Sequence, residues 1–263
     1  YSSCALNAAG TACGGSRTNA TGNFYFYQPA TEIGTQGSFD ASGRWRNSYG
    51  APYNYAPPNY YQRPDERYTA GTVISYEVNE FFTPYFEAML VNRKDSVQIA
   101  ESGAFFTRLA NQDCSNPIYG TACADLGLSP TDPFIVYVAR RNVEGGPRRT
   151  DTTDTTYRFV VGAKGNLGET WNYDASYLFA RTANDVQGFN DFLTPRIQSA
   201  LLGCPAGSFA GCQFYNVWQP GGVTVAAANA LAGVSFDKVD TEMEVFNAFA
   251  TGDLGFGFPS AGG

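Results

Sequence analysis

Residues 166–181, NLGETWNYDASYLFAR, alternate along their length. Trp171, Tyr173, Ala175, Tyr177 and Phe179 fall on one side of an extended chain, and Asn172, Asp174, Ser176 and Leu178 on the other. Successive strand side chains point to opposite faces, so a period of two predicts a strand. The run before it, TYRFVVGAKG at 156–165, sets Tyr157, Phe159, Val161 and Ala163 against Arg158, Val160, Gly162 and Lys164. Asn166-Leu167-Gly168 joins the two as a short turn. A second hairpin is predicted from 69–78, the turn residues Asn79-Glu80, and 82–95. There Phe82, Pro84, Phe86, Ala88 and Leu90 oppose Tyr85, Glu87, Met89, Val91 and Arg93. Residues 134–142 and 241–252 also read as extended, and Phe24–Tyr27 as a short strand. TPRIQSALLG (194–203) and TVAAANALAG (224–233) suggest short helices, the second capped by Thr224 and ended by Gly233.

Between these elements lie long segments punctuated by Gly, Pro, Asn and Ser: 1–67, 98–133 and 188–240. Short turns alternating with long loops are unusual for a compact sandwich. They match transmembrane β-barrels, which have short periplasmic turns and long outer loops. The expected fold class is therefore all-β, a segment of an antiparallel transmembrane β-barrel. Loop 1–67 leads into strands and a turn at 68–97. Loop 98–133 precedes strands and a turn at 134–187, and loop 188–240 precedes a strand at 241–252. About five long strands are too few to close a barrel, for which bacterial chains use an even number of about eight or more. Both ends read as cut from something larger, without a plug domain. A soluble sandwich with the aromatic face in its core accounts for the same alternation.

Composition narrows the choice. Of 263 residues, 15% are aromatic and only 16% charged, with 29 Gly, a balance that suits strands and loops. The net charge of −7 and pI near 4.6 disfavour nucleic acid as a partner. No run approaches the roughly 20 apolar residues of a spanning helix, a criterion that does not bear on barrels. Six cysteines fall as near neighbours: Cys4 with Cys13, Cys114 with Cys123, and Cys204 with Cys212. Local disulfides pinning loops in an oxidising compartment are the natural reading, although six cysteines allow about 15 pairings and free thiols are the alternative. With no histidine in the chain, a metal site or a Ser-His-Asp set is not expected, nor is a cofactor. Asp65/Glu66 read as solvated loop charge rather than an acid/base pair. No enzyme activity is expected.

Three stretches carry a family resemblance: YNYAPPNYYQRPDERYTAGTVISYEVNEFFTPYFEAML (53–90), RRNVEGGPRRTDTTDTTYRFVVGAKGNLGETWNYDASYLFARTANDVQGFNDF (140–192), and NVWQPGGVTVAAANAL (216–231) followed by FATGDLG (249–255). Together they resemble the mid-barrel portion of TonB-dependent outer-membrane receptors of Gram-negative bacteria. The resemblance implies a barrel of about 22 strands around a plug. It implies import of a scarce ligand such as a siderophore-iron complex, haem, cobalamin or an oligosaccharide. Partners would be outer-membrane lipid and lipopolysaccharide, the remaining barrel and plug, TonB acting through a TonB box outside these residues, and an associated surface protein. The loops, with all three cysteine pairs, would be extracellular. Two other classes fit the same residues: a secreted or surface-attached glycan-binding or adhesive β-protein, and a structural outer-membrane barrel subunit without transport.

On the barrel reading Phe86, Tyr157, Phe159, Trp171, Tyr173, Tyr177 and Phe179 face lipid or its interface, since Trp and Tyr rings favour that boundary. Arg158, Lys164 and Asp174 face the lumen, with the two cations pairing with Asp174 or with plug acids. Arg148 and Arg149 are candidate ligands for an anionic group, because guanidinium grips carboxylates bidentately. A structural salt bridge or a lipopolysaccharide phosphate is their other use. Tyr53, Tyr55, Tyr60, Tyr61 and Trp218 are candidate stacking platforms for a sugar or an aromatic siderophore, or else loop packing.

Overall fold

The computed structural model describes residues 15–254. The chain divides into two compact units: residues 1–63, 97–150 and 187–235 in the first, and 64–96, 151–186 and 236–263 in the second. It is mostly β, with two antiparallel five-stranded sheets and short helices.

In the first unit the chain forms β1 (Asn23–Gln28), β2 (Ile33–Phe39), β3 (Trp45–Arg46), β6 (Gly103–Gln112) and β7 (Phe134–Arg141), in the order β3-β2-β1-β7-β6. Phe24 lies opposite Val138 and Phe26 opposite Val136. Alternate residues of β7 (Phe134, Val136, Val138) are fully buried, and so are Phe24 and Phe26. On this face the rings of Phe39, Trp45, Tyr119 and Trp218 pack edge-on or stacked, as aromatic quadrupoles favour, with Tyr119 4.8 Å from Trp218. Gly37 is required where β2 passes Trp45, because a Cβ there would meet the indole at 2.3 Å. β6 slips register against β7 at Phe105/Thr107 and Leu109/Gln112. Phe106 and Asn111, between the paired residues, take left-handed backbone (φ 53° and 54°), which marks two bulges. Helices α2 (Thr194–Leu201) and α3 (Val225–Leu231) add Ile197, Leu201 and Leu231 to the core. The Thr224 hydroxyl accepts from the Ala227 N–H at 3.1 Å and caps α3 as expected. α3 stops at Leu231, two residues before Gly233. A one-turn helix, α1 (Ala122–Asp125), begins at the end of the loop closed by the Cys114–Cys123 disulfide, and Cys204–Cys212 forms a second short bridge.

In the second sheet β4 (Asp65–Ser75), β5 (Thr83–Ile99), β8 (Arg148–Leu167), β9 (Trp171–Phe192) and β10 (Ala232–Gly252) follow one another as an up-and-down meander, with β4 and β10 at the edges. Both predicted hairpins form. The Phe82 N–H closes the first turn on the Asn79 carbonyl, and Gly168 takes φ 75° in the second. Strand β4 ends three residues short of the expected 78, and β5, β8, β9 and β10 run longer than their patterns suggested.

Several expectations are corrected here. The short strand expected at Phe24–Tyr27 forms as β1, and the helices expected in 194–203 and 224–233 form as α2 and α3; β2, β3, β6, α1, the end of β9 and the start of β10, which the sequence reading left as loop, also lie within 1–67, 98–133 and 188–240, around an aromatic core. The 134–142 strand does not share a sheet with 156–165: β8 lies between β5 and β9, whereas β7 pairs with β1 and β6. Its alternate side chains are apolar enough to be buried in the first unit's core, and that burial decides its place. The described residues contain two open five-stranded sheets and no closed barrel. Of the three expected disulfides, two are present among the described residues. The third expected bridge, joining Cys4 to Cys13, is not among them: Cys4 and Cys13 both lie outside the described residues.

Candidate functional site

The second sheet carries different chemistry on its two faces. The register Ala70↔Leu90, Thr72↔Ala88 and Ile74↔Phe86 puts these six side chains on one face. Phe86 stacks beside Phe159 at 6.3 Å, Tyr157 lies 5.9 Å from Phe159 and 6.2 Å from Phe179, so alternate residues of β8 and β9 continue that face. It therefore includes Val161, Ala163, Ala175 and Tyr177. The face is solvent-accessible: Ile74, Phe86, Leu90 and Phe159 are 58, 38, 48 and 42% exposed. An exposed contiguous apolar patch of this kind marks a surface that meets something other than water.

The band has limits. Toward the two short turns it ends in Tyr76, Trp171 and Tyr173, and the Tyr173 hydroxyl donates to the Phe81 carbonyl at 2.9 Å. Toward the other ends of the strands it passes through Tyr68 and Tyr157. Beyond lie polar and charged groups: Glu66 opposite Lys94, Asn92 donating to Thr155 at 2.8 Å, and Arg181 paired with Asp240 at 3.1 Å. β10 changes character along its length. Asp240, Glu242 and Glu244 precede Phe246, Ala248 and Ala250 at alternate positions, and Arg181 also reaches Glu242 at 3.6 Å.

The opposite face is polar at its centre. Arg158 donates to Glu87 at 2.9 Å, and the Tyr85 hydroxyl donates to Asp174 at 2.7 Å. Gly162 leaves room for the Tyr85 ring, which a Cβ would meet at 2.4 Å. Arg158 and Asp174 thus share a face, but Arg158 bonds Glu87, which was neither of the partners expected for it, Asp174 or plug acids. Lys164 lies on this face beside Asp174, both lining one shallow hollow. Glu87 and Tyr85 were legible as part of this face from their alternation; their partners were not.

The remaining candidates lie in the first unit. Trp218 is a core residue, 2% exposed, its indole N–H donating to the Leu201 carbonyl at 2.9 Å. That burial removes its ring face from stacking on a ligand. Arg148 donates to the Ala100 carbonyl at 2.9 Å, lies 3.7 Å from Asp191 and 5.8 Å from the Phe105 ring, while Arg149 covers the Phe189 ring at 4.7 Å. Both guanidiniums therefore have structural partners. Tyr55 and Tyr60 are partly exposed and Tyr61 is fully so. Tyr53 donates its hydroxyl to the buried Glu101 carboxylate at 2.6 Å, and Arg141 lies over its ring. Burial and this carboxylate push the Tyr53 phenol up to about 12. Arg140 grips Glu144 through two nitrogens and also reaches the Tyr215 hydroxyl. Sequence reading missed the Arg140, Arg141 and Glu101 cluster, because nothing in a strand's alternation announces that a charge is buried and paired.

Among the described residues no helix is long and apolar enough to cross a membrane, a test that does not address strands, and no cluster of potential metal ligands occurs. No family model, no characterised protein and no solved structure matches the chain.

Proposed function

We propose that this chain is part of a TonB-dependent outer-membrane receptor, with its second sheet forming barrel wall and the segments of its first unit extracellular. One observation carries the membrane part: a solvent-accessible apolar band, bounded by Tyr and Trp, on a meander whose two edge strands lack further strand partners among the described residues. A strand's backbone polar groups have no water to bond in hydrocarbon, so a wall of this kind must be completed by further strands. Nine residues of extended chain, as from Tyr68 to Tyr76, span about 27–30 Å. Tilted as barrel strands are, they cover close to the roughly 25 Å apolar height of such barrels. The polar face with Arg158–Glu87 and Tyr85–Asp174 then lines the lumen.

The receptor part rests on the sequence resemblance at 53–90, 140–192 and 216–231. On that reading lipid and lipopolysaccharide meet the band, the remaining strands and plug complete the barrel, and TonB supplies energy.

The test uses Trp171 as a reporter at the rim of the band. The chain is refolded into phosphatidylcholine vesicles carrying brominated acyl chains, and its tryptophan emission is compared with that of Trp171→Phe. Quenching that disappears in the variant is the expected result, since Trp45 and Trp218 are buried. A chain that stays monodisperse without detergent and shows no quenching would overturn the membrane reading. For the receptor, ligand uptake by cells should stop when a protonophore collapses the proton gradient.

A further inference from the structure

The first unit holds a cavity of about 620 Å³ that the membrane reading does not use. Three loops build it: the β2–β3 turn, the segment within the Cys114–Cys123 ring, and the segment after Cys204–Cys212. Ser42, Thr121, Asn216 and Gln219 contribute uncharged polar groups, and Ile118 and Phe214 apolar surface; an edge of Trp218 completes the floor. Among the described residues no ionisable side chain lines it. The charged neighbours are satisfied among themselves. Asp40 takes the Ser42 hydroxyl at 2.6 Å and Arg46 at 2.7 Å, and Arg44 pairs with Asp125.

The walls are fixed before any ligand arrives. Thr121 donates to the Gly43 carbonyl at 3.0 Å, joining two of the loops, and the Trp45 N–H donates to Asp125 at 3.2 Å. The Tyr215 N–H and the Trp218 indole anchor the third loop to Ala200 and Leu201. Preformed walls reduce the ordering cost of binding. Hydrogen-bonding capacity is left over. Among the described residues the Gln219 side chain makes no hydrogen bond, and Asn216, whose Oδ1 accepts from the Trp218 N–H, has its amide donor free. The volume falls in the range of small-molecule sites, where an apolar surface supplies affinity and a few polar groups fix orientation.

From this we infer that the cavity binds a neutral, polyhydroxylated ligand, a sugar residue of an uncharged oligosaccharide. A pyranose offers C–H surface to Phe214 and Ile118, and hydroxyls that both donate to and accept from amide groups. An anionic chelate or uronate finds no cation here, and the chain's net charge of −7 opposes it. The inference stands on the first unit alone and does not require the membrane reading.

The test is calorimetric titration of the detergent-solubilised chain with maltopentaose, cellopentaose and xylopentaose, with trigalacturonate as the anionic probe. At least one neutral probe should bind saturably with one site per chain. Gln219→Ala should weaken it about fivefold, the loss of one hydrogen bond. Ser42→Leu, which pushes an apolar side chain into the cavity mouth, should weaken it at least about tenfold. Gln219 is exposed and its side chain has no partner among the described residues, so that variant tests the site even if Ser42→Leu fails to fold. No saturation by any neutral probe at millimolar concentration, preference for trigalacturonate, or binding that Gln219→Ala leaves unchanged would overturn the inference. Failure of vesicle insertion leaves this titration untouched, so the two readings fail separately.

Discussion

Phe86 on β5 and Phe159 on β8 stack with ring centroids 6.3 Å apart and planes 18° from parallel, and both rings remain more than a third exposed. A stacked aromatic pair normally belongs to a core. Here it forms part of an open surface, and the neighbours that extend it are Leu90, Ala88, Tyr157 and Phe179.

A charge placed on this surface separates lipid contact from a water-exposed role. Phe159→Arg should reduce insertion into vesicles by about 2–4 kcal/mol if the position lies near the bilayer midplane. Lys164→Ala, on the polar face, should leave insertion unchanged. The measurement is the urea dependence of refolding into vesicles. Equal behaviour of the two variants would remove the distinction between the faces.

The Arg158–Glu87 pair is half-exposed in the isolated sheet, each side chain 36% accessible. A double-mutant cycle with Arg158→Ala and Glu87→Ala in detergent should give a coupling of about 0.2–1 kcal/mol. A coupling several times larger would mean that the pair is enclosed by further structure on that face.

Trp218 should behave as core. Trp218→Ala should destabilise the first unit by about 3–5 kcal/mol, through lost burial and an unfilled cavity. Thermal unfolding followed by near-ultraviolet circular dichroism reads the change. A variant of native stability would return Trp218 to the list of ligand platforms.

Reduction should loosen the same unit. Cys114–Cys123 and Cys204–Cys212 close rings of sequence separation 9 and 8, and each contributes about 2–3 kcal/mol in the chain-entropy account. Alkylation with mass mapping before and after reductant should find both bridges in the purified chain. Protease cleavage within 114–123 and 204–212 should rise once they open.

Asp40 gives a pH signature. The Ser42 hydroxyl, then the Arg44 backbone N–H, hold its carboxyl well below the usual carboxylate range. A depressed folded-state value means that the stabilisation is present above the unfolded carboxylate value and is lost as pH falls through the folded one. The β2–β3 turn should therefore stay closed through pH 4 and open only under stronger acid. Amide exchange at Ser42 and Arg44 reads this; opening near pH 5 would contradict it.

The sequence by itself determined the local β structure of the second sheet. Alternation at 157–164 and 171–179 named the two faces, Asn79 and Gly168 marked the turns, and Thr224 marked the start of α3. These features depend on residues close in the chain, where a period of two or a cap is written directly. Tertiary structure decided the rest. Phe24–Tyr27 read as a short strand and Trp45 as loop, yet nothing local showed that Phe24, Phe26 and Trp45 build a core with Tyr119, Phe134 and Trp218 from distant segments. Trp218, open in the sequence between platform and packing, is core, a choice that depends on rings as far as nearly two hundred residues away in sequence. β8 lies between β5 and β9, so strand order allowed Arg158 either Glu87 or Asp174; it took Glu87, and Asp174 accepts instead from the Tyr85 hydroxyl. The cavity at Ser42, Asn216 and Gln219 had no periodic signal at all, since three loops meet there only after the core beneath them has packed.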